Sequence, residues 1–478
     1  MDCRQNKLPV VESLEKYISE DCTRLHMPGH KGNSIFHAFP NFWQADVTEV
    51  RGLDDFHHPT GAIKEAQELL RDLFNTEASF FLINGASVGI HAGILSQIKP
   101  GDTILVPRHS HRSLLGAMIL SGANPVYISS EICHDYGMPL GVNWESFRKK
   151  IKKNKDAKLV FLQNPTYEGV AENIKSIKKL LPEKMIVMVD EAHGGHFYFH
   201  SCLPSSALRW GCQIVVHGAH KTLGSLTQTG FIHLNSGINI ARVKETLTLL
   251  QSTSPSYLLL ASLDAARHKL ATGGSEIFER IITKADNLRK GINSIPGLHC
   301  LEQSELPNRE LDPTKLVISA GGLNLSGFTL DKILRDCYGI QVEMANTAYV
   351  VAMITIGDGE LAEDEILEAF KDLAFRYRNL SSTQYEKLEL PEPPPVIVNP
   401  REAYFAPKVK VDLESSLGKI SGETICPYPP GIPVLCAGEE ITHEVMEYLH
   451  WLKKSGASWH GGNDLRLNSI LVLEEKRR

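Results

Sequence analysis

The sequence predicts an α/β protein built on a mostly parallel seven-stranded sheet, and the spacing of its apolar runs is the main observation behind that prediction. Short apolar or β-branched runs occupy residues 79–83, 103–107, 125–129, 159–163, 185–190, 213–217 and 230–234. The first six are separated by segments long enough for a helix, which is typical of parallel strands covered on both faces. The last interval is too short for a crossover helix, so the seventh strand should run antiparallel to a neighbour.

The chain should divide into several parts, because its 478 residues exceed what one simple core usually holds. We expect an N-terminal arm at 1–60 and a large domain at 61–285. A small α/β domain should follow at 286–390, and a C-terminal α+β domain at 401–478. The proline-rich run "PEPPPVIVNP" at 391–400 would join the last two as an extended linker.

Composition and charge favour small-molecule chemistry in the cytoplasm. The chain is 42% hydrophobic, yet it has no run of about 18 apolar residues that could cross a bilayer. A net charge of -6 argues against a nucleic-acid partner, which normally needs a basic face. No secretory signal is visible. Nine scattered cysteines without a CxxC pair favour reduced thiols over disulfides or a zinc site.

The residues that follow the predicted strands form a chemical pattern. Ligands of such sheets bind beyond the carboxyl ends of the strands. One strand ends at Asp190 and another shortly before Lys221. A lysine amine can form a Schiff base, and an aspartate can keep a pyridine nitrogen protonated. Gly85 and Ser87 lie at an expected helix start, where free amides favour a phosphate. Each of these residues alone has a simpler explanation, such as a turn or a helix cap. The lysine, the aspartate and the phosphate-binding helix start together match what pyridoxal phosphate requires.

Long motifs in the same order resemble the pyridoxal-phosphate-dependent (PLP-dependent) ornithine, lysine and arginine decarboxylases of bacterial type. The motifs are "HMPGHKGN" (26–33), "DVTEVRGLDDFHHPTGAIKEAQ" (46–67), "FFLINGAS" (80–87), "VDEAHGGHF" (189–197), "AHKTLGSLTQT" (219–229), "TSPSYLLLASLDAAR" (253–267) and "YPPGIPVLCAGEEIT" (428–442). The resemblance covers nearly the whole chain and looks like the short form, without a receiver-like domain. It implies fold type I, that of aspartate aminotransferase, and decarboxylation of a basic amino acid to a polyamine-pathway amine, with arginine favoured over lysine and ornithine.

The resemblance also implies roles for individual residues. Lys221 would hold the cofactor covalently, Asp190 would pair with its pyridinium nitrogen, and Lys221 or the adjacent His220 would return a proton to the α-carbon. The cofactor-binding set would be Lys221, Asp190, Ala192, His111, Gly85, Ala86, Ser87, His193 and Thr253. His111 would stack on the cofactor ring. Thr253 would reach the phosphate from a neighbouring subunit, which implies at least a homodimer with shared active sites. No metal ion is expected.

Two positions depart from the family pattern. The serine that commonly stands three residues before the lysine is Gly218 here, and the residue after Ser87, often a second hydroxyl, is Val88. Each missing phosphate contact should cost on the order of 1 kcal/mol if nothing replaces it. We therefore expect weaker cofactor binding, unless backbone amides or water compensate, and an enzyme that is still active.

The distal cationic group of a basic substrate needs an acidic partner, because a buried unpaired cation is costly. Four carboxylates are candidates for this partner, and each could equally be a helix cap or a surface group: Asp54 and Asp55 in "GLDDFHH", Glu168 in "NPTYEG" and Glu423 in "ISGETICPYPPG".

Three other functions stay open from the residues alone. The histidines at 193, 196, 200, 217 and 220 have ligand-like spacings, which would suit a metal-dependent hydrolase. An aminotransferase or lyase would use the same fold and cofactor. A non-catalytic homologue would fit the two departures but not an intact Lys221 and Asp190.

Overall fold

The computed structural model describes residues 3–20, 22–33, 42–133, 136–378, 391–428, 433–454, 458–460, 462–464 and 466–474. They belong to two compact units. The first unit comprises Met1–Gln97 and Met188–Glu279, and the second comprises Ile98–Val187 and Arg280–Arg478. None of the helices in the described ranges combines the length and apolarity that crossing a bilayer needs.

Helices and strands alternate through most of the described chain. The α-helices are α1 Pro9–Ser19, α2 Ala62–Phe74, α3 Gly85–Gln97, α4 Arg112–Ser121, α5 Trp144–Lys153, α6 Ile174–Lys178, α7 Ala219–Thr222, α8 Ile240–Leu250, α9 Tyr257–Asn293, α10 Gly327–Tyr338, α11 Glu363–Tyr377, α12 Pro400–Phe405 and α13 His443–Lys454. The strands are β1 Ala78–Leu82, β2 Thr103–Pro107, β3 Asn124–Ile128, β4 Ser130–Cys133, β5 Met138–Val142, β6 Leu159–Gln163, β7 Val170–Ala171, β8 Ile186–Asp190, β9 Ile214–His217, β10 Gly230–Leu234, β11 His299–Cys300, β12 Glu310–Leu311, β13 Lys315–Ser319, β14 Met344–Ala345, β15 Val350–Met353, β16 Lys408–Asp412, β17 Cys426–Tyr428, β18 Ser458–His460 and β19 Ser469–Leu473.

Seven strands form a mixed central sheet, and the first unit holds four of them in the order β1-β10-β9-β8. β8 and β9 are parallel, whereas β10 runs antiparallel to both β9 and β1. Helix α3 packs closely on these strands, because a Cβ at Gly89 would lie 2.7 Å from the Leu82 side chain and one at Gly93 would lie 2.6 Å from Met188. The glycines let the helix approach the sheet and so fix where its first turn lies.

The second unit contains the parallel strands β6-β2-β3 and an antiparallel sheet in the order β11-β13-β15-β14. Its C-terminal segment has an apolar cluster that includes Leu435, Leu449 and Ile470. A buried ion pair joins this segment to the residue after β2: Arg108 donates to both carboxylate oxygens of Glu439 and to the carbonyl oxygen of Val434.

The predicted fold class is confirmed. All seven apolar runs form strands within one residue of the expected bounds, and the last one is antiparallel to its neighbours as predicted. Helix α9 is 37 residues long and begins at Tyr257. The domain boundaries stay a prediction, and residues 379–390 and 429–432, on which parts of the domain and motif assignments fall, lie outside the described residues.

Candidate active site

Asp190 and Lys221 follow two neighbouring parallel strands in the first unit. Asp190 ends β8, is 6% exposed, and accepts a hydrogen bond on Oδ1 from the amide of Ala192 at 3.0 Å. Lys221 lies in the short helix α7, directly after β9, and its Nζ is 2.8 Å from Nε2 of His193. The predicted cofactor residues Asp190, Ala192, His193 and Lys221 are thus brought to one edge of the sheet.

The electrostatics of Asp190 suit a cationic ligand group. Burial raises the pKa of its carboxyl, and the charge of Lys221 opposes that effect. A buried carboxylate with one hydrogen bond among the described residues gains from a cation placed against it. A protonated pyridine nitrogen would be such a cation, and the lysine amine nearby would bind an aldehyde. The residues present therefore fit pyridoxal phosphate.

The residues predicted to bind the phosphate lie at the start of α3. Gly85 has φ +77° and opens the helix, and a Cβ there would meet no described atom within 4 Å. Its amide donates to the carbonyl of Gln228 at 2.8 Å. The amides of Ala86 and Ser87 lie in the first turn, where no carbonyl four residues earlier in the helix can accept them. Ser87 is half-buried, so the helix start presents both amides and a hydroxyl.

The structure explains both departures from the family pattern. A Cβ at residue 218 would lie 2.9 Å from the carbonyl oxygen of Ala192 and 3.2 Å from Cδ of Lys221. A serine at 218 therefore requires the backbone around Ala192 to shift. Val88 is 4% exposed and belongs to the apolar core, so its side chain serves packing of α3.

The other predicted site residues are placed as follows. His220 has its Nδ1 2.8 Å from the carbonyl oxygen of Thr229. Thr253 is exposed in the loop between α8 and α9. In the second unit His111 caps α4 through its side chain, and its ring centroid is 6.5 Å from that of Tyr167. Their roles toward the cofactor stay predictions.

Three of the four candidate carboxylates accept hydrogen bonds from backbone amides. Both oxygens of Asp54 accept amides from the turn and helix start that follow it. Asp55 accepts two backbone amides on Oδ1 at 2.8 Å, and Glu423 accepts one backbone amide on each oxygen. Glu168 differs: it is 1% exposed, Oε1 accepts the Tyr349 hydroxyl at 2.7 Å, and Oε2 has no partner among the described residues.

The histidines at 193, 196, 200, 217 and 220 do not form a metal site within the described residues. His200 is 2.6 Å from a carboxylate oxygen of Glu279, and His217 contacts Glu191 at 3.0 Å. No group of three potential ligands that could hold a metal ion occurs in the described ranges. The metal-dependent hydrolase is therefore not supported.

A set of buried polar side chains behind Asp190 was missed by the sequence analysis. Glu191, His217, His233 and Ser79, here called the buried relay, are linked by hydrogen bonds and are at most 3% exposed. Their signal in the sequence was a polar residue inside or directly after each of four otherwise apolar runs. Alternation alone could not show that these side chains meet.

Comparisons with known proteins identify the family. The model of "Orn/Lys/Arg decarboxylase, major domain" matches residues 8–309, and that of "Orn/Lys/Arg decarboxylase, C-terminal domain" matches residues 380–463. Arginine decarboxylase of Bacillus subtilis (strain 168) is 36% identical over 485 residues, covering 99% of each chain. The inducible lysine decarboxylase of Escherichia coli (strain K12) is 25% identical over 95% of this chain and 78% of its own length.

Among solved structures, the lysine decarboxylase LdcF of Francisella novicida superposes with a TM-score of 0.86 at 21% identity, covering 98% of this chain and 82% of that one. This likeness shows the fold. Together with the sequence matches, it establishes that the chain belongs to the Orn/Lys/Arg decarboxylase family of PLP-dependent amino acid decarboxylases.

Proposed function

We propose that this chain decarboxylates a basic amino acid, preferably arginine, to the corresponding amine and CO2. The observation that carries the proposal is the placement of Asp190 and Lys221 after two adjacent parallel strands, with His193 against the lysine amine. The 36% identity to an arginine decarboxylase, compared with 25% to a lysine decarboxylase, supports arginine.

Lys221 and Asp190 would hold the cofactor by its reactive carbon and its ring nitrogen. When bound, pyridoxal phosphate supplies a conjugated ring that accepts the electron pair left by the departing carboxylate. The buried carboxylate of Asp190 would keep a proton on the ring nitrogen by placing a negative charge against it. The amides of Ala86 and Ser87 would bind the phosphate at the positive end of α3.

Two side chains can move a proton at the reacting carbon. Nζ of Lys221, 2.8 Å from Nε2 of His193, can deliver a proton to the substrate's α-carbon once the substrate amine has replaced it. His220 faces the carbonyl oxygen of Thr229, which can only accept, so its Nδ1 carries a hydrogen. Its Nε2 is then the atom that can gain and release a proton.

Glu168 is the carboxylate that best suits the substrate's cationic end. Its buried Oε2 has no partner within the described part of the chain, whereas the other three candidates accept backbone amides. Burial raises the pKa of Glu168, the Tyr349 hydroxyl and the charge of Lys315 oppose that effect, and a guanidinium brought beside the carboxylate would oppose it further. These contacts support Glu168 as the residue that selects a basic side chain.

The decisive experiment offers arginine, lysine and ornithine separately to the purified, cofactor-supplemented protein and measures amine and CO2. We expect one strongly preferred substrate, arginine, and no product from Lys221→Ala, which should also lose the absorption band of the covalently bound cofactor. Formation of a keto acid, or no CO2 from any of the three, would refute the proposed reaction.

We also propose that the active site is shared within a cytoplasmic homodimer, with Thr253 reaching the partner's phosphate. The exposure of Thr253 supports this role. Subunit complementation tests it: Lys221→Ala and Thr253→Glu should each be inactive alone, because Glu at 253 repels a phosphate. Unfolding and refolding them together should restore activity, since one site of the mixed dimer has both native residues. No recovery in a verified mixed dimer would exclude the shared site.

A further inference from the structure

The buried relay crosses the four strands of the central sheet that belong to the first unit. His217 Nε2 is 3.0 Å from Glu191 Oε2, and His217 Nδ1 is 3.2 Å from His233 Nε2. His233 Nδ1 is 2.7 Å from the hydroxyl of Ser79, which in turn is 2.8 Å from the hydroxyl of Thr76. The relay thus links the residue after β8 to the last residue of β9, to β10 and to β1.

All the hydrogen bonds of the relay can form with both imidazole rings neutral. Thr76 can donate to Ser79, Ser79 to His233, His233 to His217, and His217 to Glu191, so every donor has an acceptor. Burial holds the pKa of His233 well below its ordinary value, which keeps that ring neutral.

Glu191 is the charged end of the relay and is fully buried. Besides His217, it accepts the hydroxyl of Ser206 at 2.7 Å and the amide of Ala207 at 2.8 Å. These donors reach both oxygens of the carboxylate, Ala207 at Oε1 and His217 and Ser206 at Oε2. The relay therefore ends in a buried carboxylate whose two oxygens both accept hydrogen bonds.

That end lies next to the two residues proposed to hold the cofactor. Glu191 directly follows Asp190, and His217 precedes Lys221 by four residues along the turn after β9. The charge of Glu191 adds to burial in raising the pKa of Asp190. The hydrogen bonds that hold Glu191 and His217 in place therefore also set the positions of the ends of β8 and β9. They set the position of the negative charge beside Asp190 as well.

We propose that the buried relay is a positioning device for the cofactor site, with His217 as its central residue. It sets the geometry of Asp190 and Lys221 and keeps the negative charge of Glu191 hydrogen-bonded behind them. This inference rests on the proposed roles of Asp190 and Lys221, although it does not depend on which amino acid is the substrate.

Three variants of the full-length protein test the inference. His217→Leu removes both links. His217→Gln keeps a donor for Glu191 and an acceptor for His233, because an amide offers both. Phe74→Leu is the packing control, since the Phe74 ring lies 4.4 Å from that of His233 but forms no hydrogen bond in the relay. The measurements are the free energy of unfolding without cofactor, the cofactor dissociation constant from its absorption band, and kcat and KM.

We expect His217→Leu to weaken cofactor binding and lower kcat by about tenfold or more relative to Phe74→Leu, since hydrogen bonds to charged groups are the strong ones. His217→Gln should recover both quantities to within about threefold of the native values. Equal losses in His217→Leu and Phe74→Leu at matched stability, or no recovery with glutamine, would overturn the positioning role.

If His217→Leu does not fold, Ser79→Ala decides the question from the distal end of the relay. It should weaken cofactor binding about threefold, and native affinity would overturn the inference. The dissociation constant can be measured even if none of the three amino acids is decarboxylated. Failure of the proposed reaction is therefore distinguishable from failure of the relay.

Discussion

Two buried carboxylates, Glu439 in the second unit and Asp190 in the first, differ in how many partners they have. In the second unit Arg108 donates to both oxygens of Glu439, which also accepts the amide of Cys436 at 2.7 Å. In the first unit, among the described residues, Asp190 accepts one hydrogen bond. A charge whose partners are complete holds the fold together, whereas a buried carboxylate left short of partners is available to a ligand.

Asp190→Asn gives the largest expected effect of the substitutions that test this comparison. We expect kcat to fall about 10²–10³-fold, the range for loss of one preorganised electrostatic stabiliser. Steady-state kinetics with saturating cofactor would measure it. Comparable turnover in the purified variant would break the comparison, because Asp190 would then not be reserved for the cofactor.

The same variant should be stabilised when no cofactor is bound. Because burial raises the folded-state pKa of Asp190, its contribution to stability is complete below its unfolded-state pKa and is lost as pH rises through the folded-state pKa. Urea unfolding should therefore show the stability of Asp190→Asn, relative to that of the native protein, increasing as the pH rises above the ordinary aspartate pKa of 3.8. A gain that does not grow with pH would contradict this sign.

Glu168→Gln sharpens the comparison within the second unit. Its carboxylate has an unpaired oxygen, unlike Glu439, so we expect an effect on substrate rather than on folding. KM for arginine should rise about tenfold, as for loss of a charged hydrogen bond. Tyr349→Phe, which keeps the carboxylate, is the matched control. An unchanged KM would remove Glu168 from the substrate site.

Gly218→Ser should affect the cofactor more than the reaction. Because a Cβ would lie 2.9 Å from the Ala192 carbonyl, we expect overpacking of about 1–3 kcal/mol and a cofactor dissociation constant raised about tenfold. Gly218→Ala separates the Cβ from the hydroxyl. Tighter binding by the serine variant would show instead that the missing phosphate contact dominates.

Glu439→Gln should have the smallest effect on turnover and a large one on stability. It leaves the Arg108 guanidinium buried without a full negative partner, which typically costs about 3–5 kcal/mol. We expect a lower urea midpoint with nearly native kcat in the folded fraction. A loss of kcat without a loss of stability would assign this pair to the active site.

Local pattern was enough to predict the strands and the residues at their ends. Asp190 and Lys221 were found because a lysine and an aspartate after apolar runs have a known chemistry together. The buried relay and the pair of Arg108 with Glu439 were not predicted. His233 is 16 residues from His217, and Glu439 is 331 residues from Arg108. Such contacts depend on how distant segments pack, which spacing along the chain does not encode.

The ion pair of Arg108 with Glu439 also bears on how the protein can be divided by genetic engineering. A fragment that stops before the C-terminal segment would keep Arg108 while losing Glu439 and the Val434 carbonyl that it contacts. Such a fragment would be prone to aggregate when expressed alone. Supplying the missing segment as a separate polypeptide should restore folding, which would make the two parts folding partners rather than independent modules.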